Sequence, residues 1–356
     1  MRGGGGTNQL ISFPTEEEIL LSLKENPKQN FIAPYLPPEK FSNYFIIRKL
    51  ENLKGLLTTQ QHTAGLEEHI ILEQNLGISV IKSELTFNDL AGAKKLKEWT
   101  KKFQIAEEQG YRSKGIFSVG LPGTGKTFFT QCLAGELQRP LIILNLAFLQ
   151  AKPNPIQALN GIFEYLNETN SKQIILIDEI EKMVGTGEDP LTGRLMTILS
   201  DLYSSAGEYK KLDILVLATA NNLDAILKYQ PALLRRGRFD ELFFQNTPLI
   251  DDVEEYFKLY IKKYNLSAVI NLYGLEELIN NISKTYESIN LQAKNFIYTP
   301  SEIATFFKKL NFERMAGVEI NKEVIERTIL EIVPISKSAQ EGISKIIAQK
   351  ELFVEI

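Results

Sequence analysis

From residue 85 onward, short apolar runs alternate with longer amphipathic stretches. Ile116–Val119, Leu141–Leu144, Ile174–Ile177, Ile214–Ala218 and Leu242–Phe244 are rich in Ile, Leu, Val and Phe. Runs this short, apolar at nearly every position, fit strands buried on both faces of a sheet. Between them, residues 126–138, 155–168 and 192–205 have the period and length of helices. The alternation predicts an α/β fold, a parallel sheet flanked by helices. After Pro248 the strand-like runs stop. Residues 251–264, 272–285, 300–310 and 321–331 read as helices, and 340–349 as one more, so a helical domain is expected to follow.

Ahead of residue 85 the pattern differs. Thr15 and Glu18 are spaced as a capping box before the apolar stretch Ile19–Leu23. After Pro34, Pro37 and Pro38, the residues Phe41, Tyr44, Phe45, Ile47, Leu50, Leu53 and Leu57 recur at helical spacing. Residues 10–80 therefore read as a small, mostly helical region, either an adaptor or a packing element, with no motif that carries chemistry. The opening MRGGGG reads as a flexible leader. The expected organisation is 1–80 N-terminal region, 81–247 α/β domain, 248–335 helical domain and 336–356 helical tail.

Composition narrows the class. A chain of 356 residues has room for two or three domains, and a 44% apolar fraction supplies a sizeable core. Cys132 is the only cysteine, so no intrachain disulfide can form. No apolar run reaches the ~18 residues of a membrane helix, and the N-terminus lacks the apolar core of a signal peptide. The expected setting is intracellular: cytoplasm, or plastid stroma if the chain is plastid-encoded. The net charge of -4 argues against binding polyanions by bulk electrostatics. Lys94, Lys95, Lys97, Lys101 and Lys102 form the densest basic run, but Leu96 and Trp99 share the same helix, which makes the lysines its solvated face. His62 and His69 make no metal cluster.

The chemistry begins at Gly120–Thr127, GLPGTGKT, which fits GxxxxGK[ST] in full. An apolar strand enters it and a helix leaves it. Glycines let successive backbone N–H groups converge on a phosphate. The helix that follows turns its positive end to the same oxygens. Lys126 sets a charge between β- and γ-phosphates, and the Thr127 hydroxyl can ligate Mg²⁺. Cys132, on the emerging helix, reads as a buried small residue.

Asp178 and Glu179 end the buried strand Ile174–Ile177. In that position Asp178 holds Mg²⁺ and Glu179 polarises the attacking water. Another strand, Ile214–Ala218, runs into Thr219-Ala220-Asn221, and Asn221 can hold the same water and sense the γ-phosphate. Farther on, Arg235, Arg236 and Arg238 crowd against Asp240 and Glu241. They form either an internal ion-pair cluster or a pair of arginine fingers, Arg235 and Arg238. The second alternative needs a head-to-tail assembly in which they reach a neighbour's γ-phosphate.

These motifs in this order resemble an AAA+ ATPase of the AAA subgroup, from about residue 85 to 335. Leu85-Thr-Phe-Asn-Asp-Leu-Ala-Gly92 is similar to the family's entry loop, with Ala91 where glycine is usual. Asn221 falls on its first sensor. Thr299-Pro-Ser-Glu-Ile303 resembles the start of its second-sensor helix, with Pro300-Ser301 in place of Gly-Ala. The resemblance implies a P-loop NTPase α/β domain with a helical lid, the AAA+ module. It implies adenine contacts from Asp89, Leu90 and Ala91. Phosphate contacts would come from Pro122, Gly123, Thr124, Gly125, Lys126, Thr127 and Phe128. The implied cofactors are ATP and Mg²⁺, with Thr127 and Asp178 as metal ligands, and the implied assembly is a homo-oligomeric ring, typically a hexamer. More narrowly, Ala218–Asn222, Leu234–Phe244, Leu96–Thr100 and Val333–Ser336 are similar to a cyanobacterial and red-algal plastid family. That family is called hypothetical chloroplast reading frame forty-six, and its biochemical role is poorly defined.

Unfoldases of this group thread polypeptide past an aromatic–apolar–glycine loop. Here residues 145–155 hold no such triplet. Phe148-Leu149 comes nearest and reads as core, and Pro153 and Pro155 stiffen the stretch. Three functions stay open: an ATP-hydrolysing ring that remodels an unidentified protein partner, a nucleotide-switched scaffold with slow turnover, and a nucleic-acid motor or loader. The lysine face described above weighs against the third.

Overall fold

A computed structural model describes residues 77–169, 172–184, 189–202, 204, 206–209, 212–235, 238–338, 340–349 and 353–355. Of the helical region expected over residues 10–80, residues 10–76 lie outside these residues, as do His62, His69, Arg236 and Gly237. In chain order the elements are β1 (Ile78–Ile81), α1 (Lys94–Glu108), β2 (Ile116–Gly120), α2 (Lys126–Leu137), β3 (Leu141–Leu144), α3 (Leu146–Gln150) and α4 (Pro155–Thr169). Next come β4 (Gln173–Ile177), α5 (Pro190–Asp201), β5 (Ile214–Ala220), α6 (Asp224–Tyr229) and β6 (Glu241–Gln245). Five helices follow: α7 (Val253–Lys263), α8 (Ser267–Tyr273), α9 (Leu275–Thr285), α10 (Pro300–Met315) and α11 (Lys322–Glu331). The chain ends with α12 (Ile335–Ser338), α13 (Gln340–Ala348) and β7 (Val354–Glu355).

Two compact units emerge from these elements. The first holds the described residues of Met1–Ile81, Pro140–Ile177 and Glu188–Ile214. In it β3 runs parallel to β4 and antiparallel to β1, with Ile78 opposite Leu144 and Leu141 opposite Ile174. All five residues of β4 are buried, as expected of a strand covered on both faces. Helix α4 buries Leu159, Ile162, Phe163 and Leu166, the one-sided stripe of a 3.6-residue period. Phe148 lies against Gly77 and under the Lys152 ammonium, 4.4 Å from the ring centroid, and Leu149 is fully buried. Of the nearest thing to a pore motif, Leu149 is thus core, while Phe148 is half-buried against Gly77.

The second unit comprises the described residues of Lys82–Arg139, Asp178–Gly187 and Leu215–Ile356. Here β2 lies between β5 and β6, parallel to both, with Ile116 opposite Leu217 and Glu241. β7 pairs parallel with the outer edge of β6. Helices α7 to α11 gather around Phe257, Phe296, Tyr298, Phe306 and Phe307. Each is almost wholly buried, worth roughly 1.5–3 kcal/mol apiece in area removed from water. The Tyr298 hydroxyl donates to the Ile332 carbonyl at 2.7 Å and ties this core to the end of α11. On α1 the basic run is partly engaged: Lys94 pairs with Asp252 at 2.8 Å, and Lys97 donates to the Leu90 carbonyl. Trp99 stacks on Phe103 and Leu96 is buried, so the apolar face of the helix packs inward.

All five expected strands are present, each within two residues of its expected ends. Three expectations need correction. The sheet is not wholly parallel, because β1 adds an antiparallel strand, and the boundary drawn at residues 80 and 81 cuts through it. The tail beyond 335 is not all helix, because Val354–Glu355 returns to the sheet edge. The single helix expected over 272–285 is broken at Gly274, whose φ of 94° lies where glycine alone sits without strain. Among the described residues no helix is long and apolar enough to cross a membrane.

Candidate functional site

A cavity of about 900 Å³ opens in the second unit. The phosphate loop, Asp178 and Glu179, Asn221 just past β5, the entry loop and helices α7 and α10 line it. Of the residues singled out in the sequence, Asp89, Pro122, Gly123, Gly125, Lys126, Thr127, Phe128, Asp178, Glu179 and Asn221 form its wall. Leu90, Ala91 and Thr124 line a smaller adjoining cavity of about 50 Å³, together with Asp89, Gly125, Phe128 and aromatic residues of α7. Arg235, exposed, and Arg238, half-buried, line neither cavity.

Local sequence explains the loop. β2 is buried throughout and delivers the chain to Leu121. Gly125, at φ 85°, is the left-handed residue from which α2 starts, so the first turn of that helix aims its free N–H groups into the cavity. Lys126 is 6% exposed, and its Nζ donates to the carbonyls of Gly120 at 3.1 Å and Leu121 at 2.9 Å. An ammonium has three donors, so one is left for a ligand in the cavity.

Burial pushes the Lys126 ammonium down to about 8, offset in part by the charges of Glu181, Asp178 and Glu179. The sign of the consequence follows. Below about pH 8 the amine is charged and attracts phosphate. Above it the amine is neutral at this site, although in water it would stay charged to about 10.4. Nucleotide affinity is therefore expected to fall as pH rises from 7.5 to 9.5. The phosphate's own last ionisation, near pH 6, is complete in that range. Calorimetry in buffers of differing ionisation enthalpy should register proton uptake on binding above pH 8. Affinity that stays flat, with no uptake, would contradict this reading.

The acidic side of the cavity is built on Asp178 and Glu179 beside the end of β5. Asp178 Oδ2 accepts from the Thr127 hydroxyl at 3.1 Å, and its Oδ1 accepts from the Thr219 hydroxyl. Thr219 Oγ1 in turn accepts the Glu179 N–H at 2.9 Å. Glu179 has φ 51° and ψ 52°, a left-handed conformation that costs a residue with a Cβ about 1–2 kcal/mol. Its carboxylate accepts from Asn221 Nδ2 at 3.0 Å on one oxygen and pairs with Lys182 on the other. The backbone strain and the two partners hold this carboxylate at the cavity mouth.

Several functional positions escape sequence reasoning. Glu181 Oε1 accepts the Asn221 N–H at 2.9 Å, while Oε2 is buried with no partner among the described residues. Burial holds the Glu181 carboxyl above the usual carboxylate range. The signal for it was a third acid two residues after Glu179. Thr219 stands next to the expected Asn221 motif, and its hydroxyl organises both acids. The lid adds Tyr260, Lys262, Lys263, Ser301, Ala304 and Lys308 to the wall. Only Ser301 carried a sequence signal. Although Pro300-Ser301 departs from Gly-Ala, the Ser301 N–H donates to the Gly123 carbonyl at 2.9 Å and joins α10 to the phosphate loop. Cys132 is fully buried and its thiol is pushed up to about 12 by desolvation, so it stays protonated and inert.

Thr127 and Asp178 offer hard oxygen donors at one spot, and no group of three or more His, Cys, Asp or Glu that could hold a metal occurs among the described residues. That donor set fits a Mg²⁺ ion, which takes one or two protein oxygens and completes its shell with phosphate and water.

Comparison with known proteins agrees with the geometry. Residues 116–247 match the family described as ATPase family associated with various cellular activities (AAA). The chain is 26% identical over 295 residues to the uncharacterized AAA domain-containing protein ycf46 of Guillardia theta, covering 79% of this chain and 54% of that protein. It is 29% identical over 208 residues to the ATP-dependent zinc metalloprotease FtsH of Karelsulcia muelleri, covering 53% of this chain and 32% of that one. The chain spans about half the length of the ycf46 relatives it matches. Its fold is similar to the FIGL-1 AAA domain, solved in complex with ADP. The TM-score is 0.54 at 15% identity, over 89% of this chain and 99% of that one. The family match thus falls on residues 116–247, from the strand that enters the phosphate loop to just past β6.

Proposed function

We propose that this chain binds ATP with Mg²⁺ in the larger cavity, hydrolyses it, and uses the cycle to remodel a protein partner as a ring of identical subunits. The observation that carries the reading is the Glu179 carboxylate, strained and held by Asn221 beside the Thr127–Asp178 pair, facing a phosphate loop with one free lysine donor. Thr127 and Asp178 would hold the magnesium ion, which supplies neutralisation of phosphate charge. Lys126 and the first turn of α2 orient the phosphates. Glu179 accepts the proton of a water that Asn221 helps to place. The lid closes the cavity through Ser301 and Tyr260. Arg235 and Arg238, which line no part of their own cavity, are read as completing a neighbour's site. The segment up to 247, taken from β1 onward, and the segment 248–335 are read as the ATP-binding domain and its lid.

The test is phosphate release by the purified chain. Release is expected with ATP and magnesium together, and loss of at least tenfold is expected when magnesium is chelated. Release that ignores magnesium, or no ATP binding at all, contradicts the reading. The buried Leu149 and the lack of an aromatic–apolar–glycine triplet in residues 145–155 favour a second version, a nucleotide-switched scaffold that grips its partner without threading it. Slow turnover combined with ATP-dependent partner binding would select that version.

A further inference from the structure

The stretch after the arginines is tied to the strand that feeds the phosphate loop. A single carboxylate oxygen, Asp240 Oδ2, accepts three donors from the chain just ahead of β2. These are the Tyr111 hydroxyl at 2.9 Å, the Ser113 hydroxyl at 2.8 Å and the Lys114 N–H at 2.8 Å. The Asp240 N–H donates back to the Gly115 carbonyl at 3.0 Å. One residue earlier, buried Phe239 packs edge-on against Phe117 of β2, with ring centroids 5.5 Å apart. Phe353, just before β7, packs against the same Phe117 at 6.3 Å. Hydrogen bonds to an ionised oxygen are the strong kind, and three on one atom fix its position closely. Burial and the Asp240 contact push the Tyr111 hydroxyl up to about 12, so it keeps its proton and donates at any physiological pH.

We propose that Asp240 is a positioning residue. Its carboxylate fixes the chain at Arg238 and Phe239 to the entry of β2, and thereby to the phosphate loop at the other end of that strand. The five-residue strand Ile116–Gly120 then links a subunit's own phosphate site to the arginines it presents to the next subunit. A shift of the loop on nucleotide binding reaches the arginines through β2, Phe117 and Asp240. The inference rests on the reading above that Arg235 and Arg238 act in a neighbouring site.

The experiment compares three proteins: Asp240→Ala, the double variant Tyr111→Phe with Ser113→Ala, and Arg235→Ala with Arg238→Ala. Asp240→Ala is expected to lower turnover about tenfold, with ATP affinity unchanged within about twofold. The Tyr111/Ser113 double variant keeps Asp240 and tests the same anchor should Asp240→Ala fold poorly. It is expected to lower turnover severalfold. Assembling Asp240→Ala subunits with Glu179→Gln subunits should restore part of the turnover, because intact arginines then face intact sites. A merely structural defect would not be rescued in this way. Wild-type turnover in both anchor variants, or a loss that mixing does not restore, overturns the proposal while leaving the arginine reading in place. Full activity in the arginine variant overturns both.

Discussion

Glu179→Gln is expected to bind ATP as tightly as the wild-type chain and to hydrolyse it roughly 10²–10⁴-fold more slowly, the range of a positioned general base. The amide is nearly isosteric, so the Asn221 contact and the Thr219 hydrogen bond to the Glu179 N–H can persist. What goes is the group that takes the water's proton. The Lys182 pair with the carboxylate is also lost, but Lys182 is 70% exposed, so this surface contact adds little stability. Equilibrium binding of a fluorescent ATP analogue and single-turnover phosphate release separate the two effects. A variant that fails to bind would mean that the substitution disturbs the phosphate loop. A variant with wild-type turnover would remove Glu179 from the chemistry. Because the variant should hold ATP without spending it, it is also the form expected to retain a bound partner.

The second large effect concerns residues outside the cavity. Arg235→Ala combined with Arg238→Ala is expected to lower turnover about 10³-fold with little change in ATP affinity, the cost of removing arginine fingers from phosphoryl transfer. The guanidinium of Arg235 has no partner among the described residues, and the residue is exposed at the end of a short 3-10 turn, Pro231–Leu234. Loss of the Arg235 side chain should therefore not unfold the subunit, and Arg235→Ala alone serves as the control for any effect of removing half-buried Arg238. A thermal midpoint within a few degrees of wild type, measured beside turnover, distinguishes the catalytic effect from damage to the fold.

The sheet was legible because its strands leave little choice. Ile174–Ile177 and Ile214–Ala218 are apolar at nearly every position, and no amphipathic helix would be written that way. The phosphate loop was legible because its glycines, lysine and threonine answer to a fixed ligand geometry. β1 was not, since ISVI follows a segment with a helical pattern and only its pairing to β3 makes it a strand. β7 is two residues long, below any sequence signal. Glu181 and Thr219 are ordinary residue types whose roles appear only when the residues Asp178–Glu181 meet the end of β5 and bring Asp178, Glu179 and Asn221 within hydrogen-bond reach. Lys262, Lys263 and Lys308 read as solvated helix positions until the lid brings them to the cavity. The role of Asp240 was hidden for the opposite reason. Its proximity in sequence to three arginines suggested an ion-pair cluster, while its hydrogen bonds run to Tyr111, Ser113 and Lys114, more than a hundred residues earlier in the chain.

The central claim is that each site is completed by the next subunit. The most direct measurement is ATP turnover of a one-to-one co-assembly of Glu179→Gln subunits with Arg235→Ala/Arg238→Ala subunits. Each alone is expected to be close to inactive. In a randomly mixed ring about a quarter of the positions pair an intact Glu179 with a neighbour's intact arginines. Turnover near a quarter of wild type per subunit is the predicted result; a mixture no more active than its two components would contradict it.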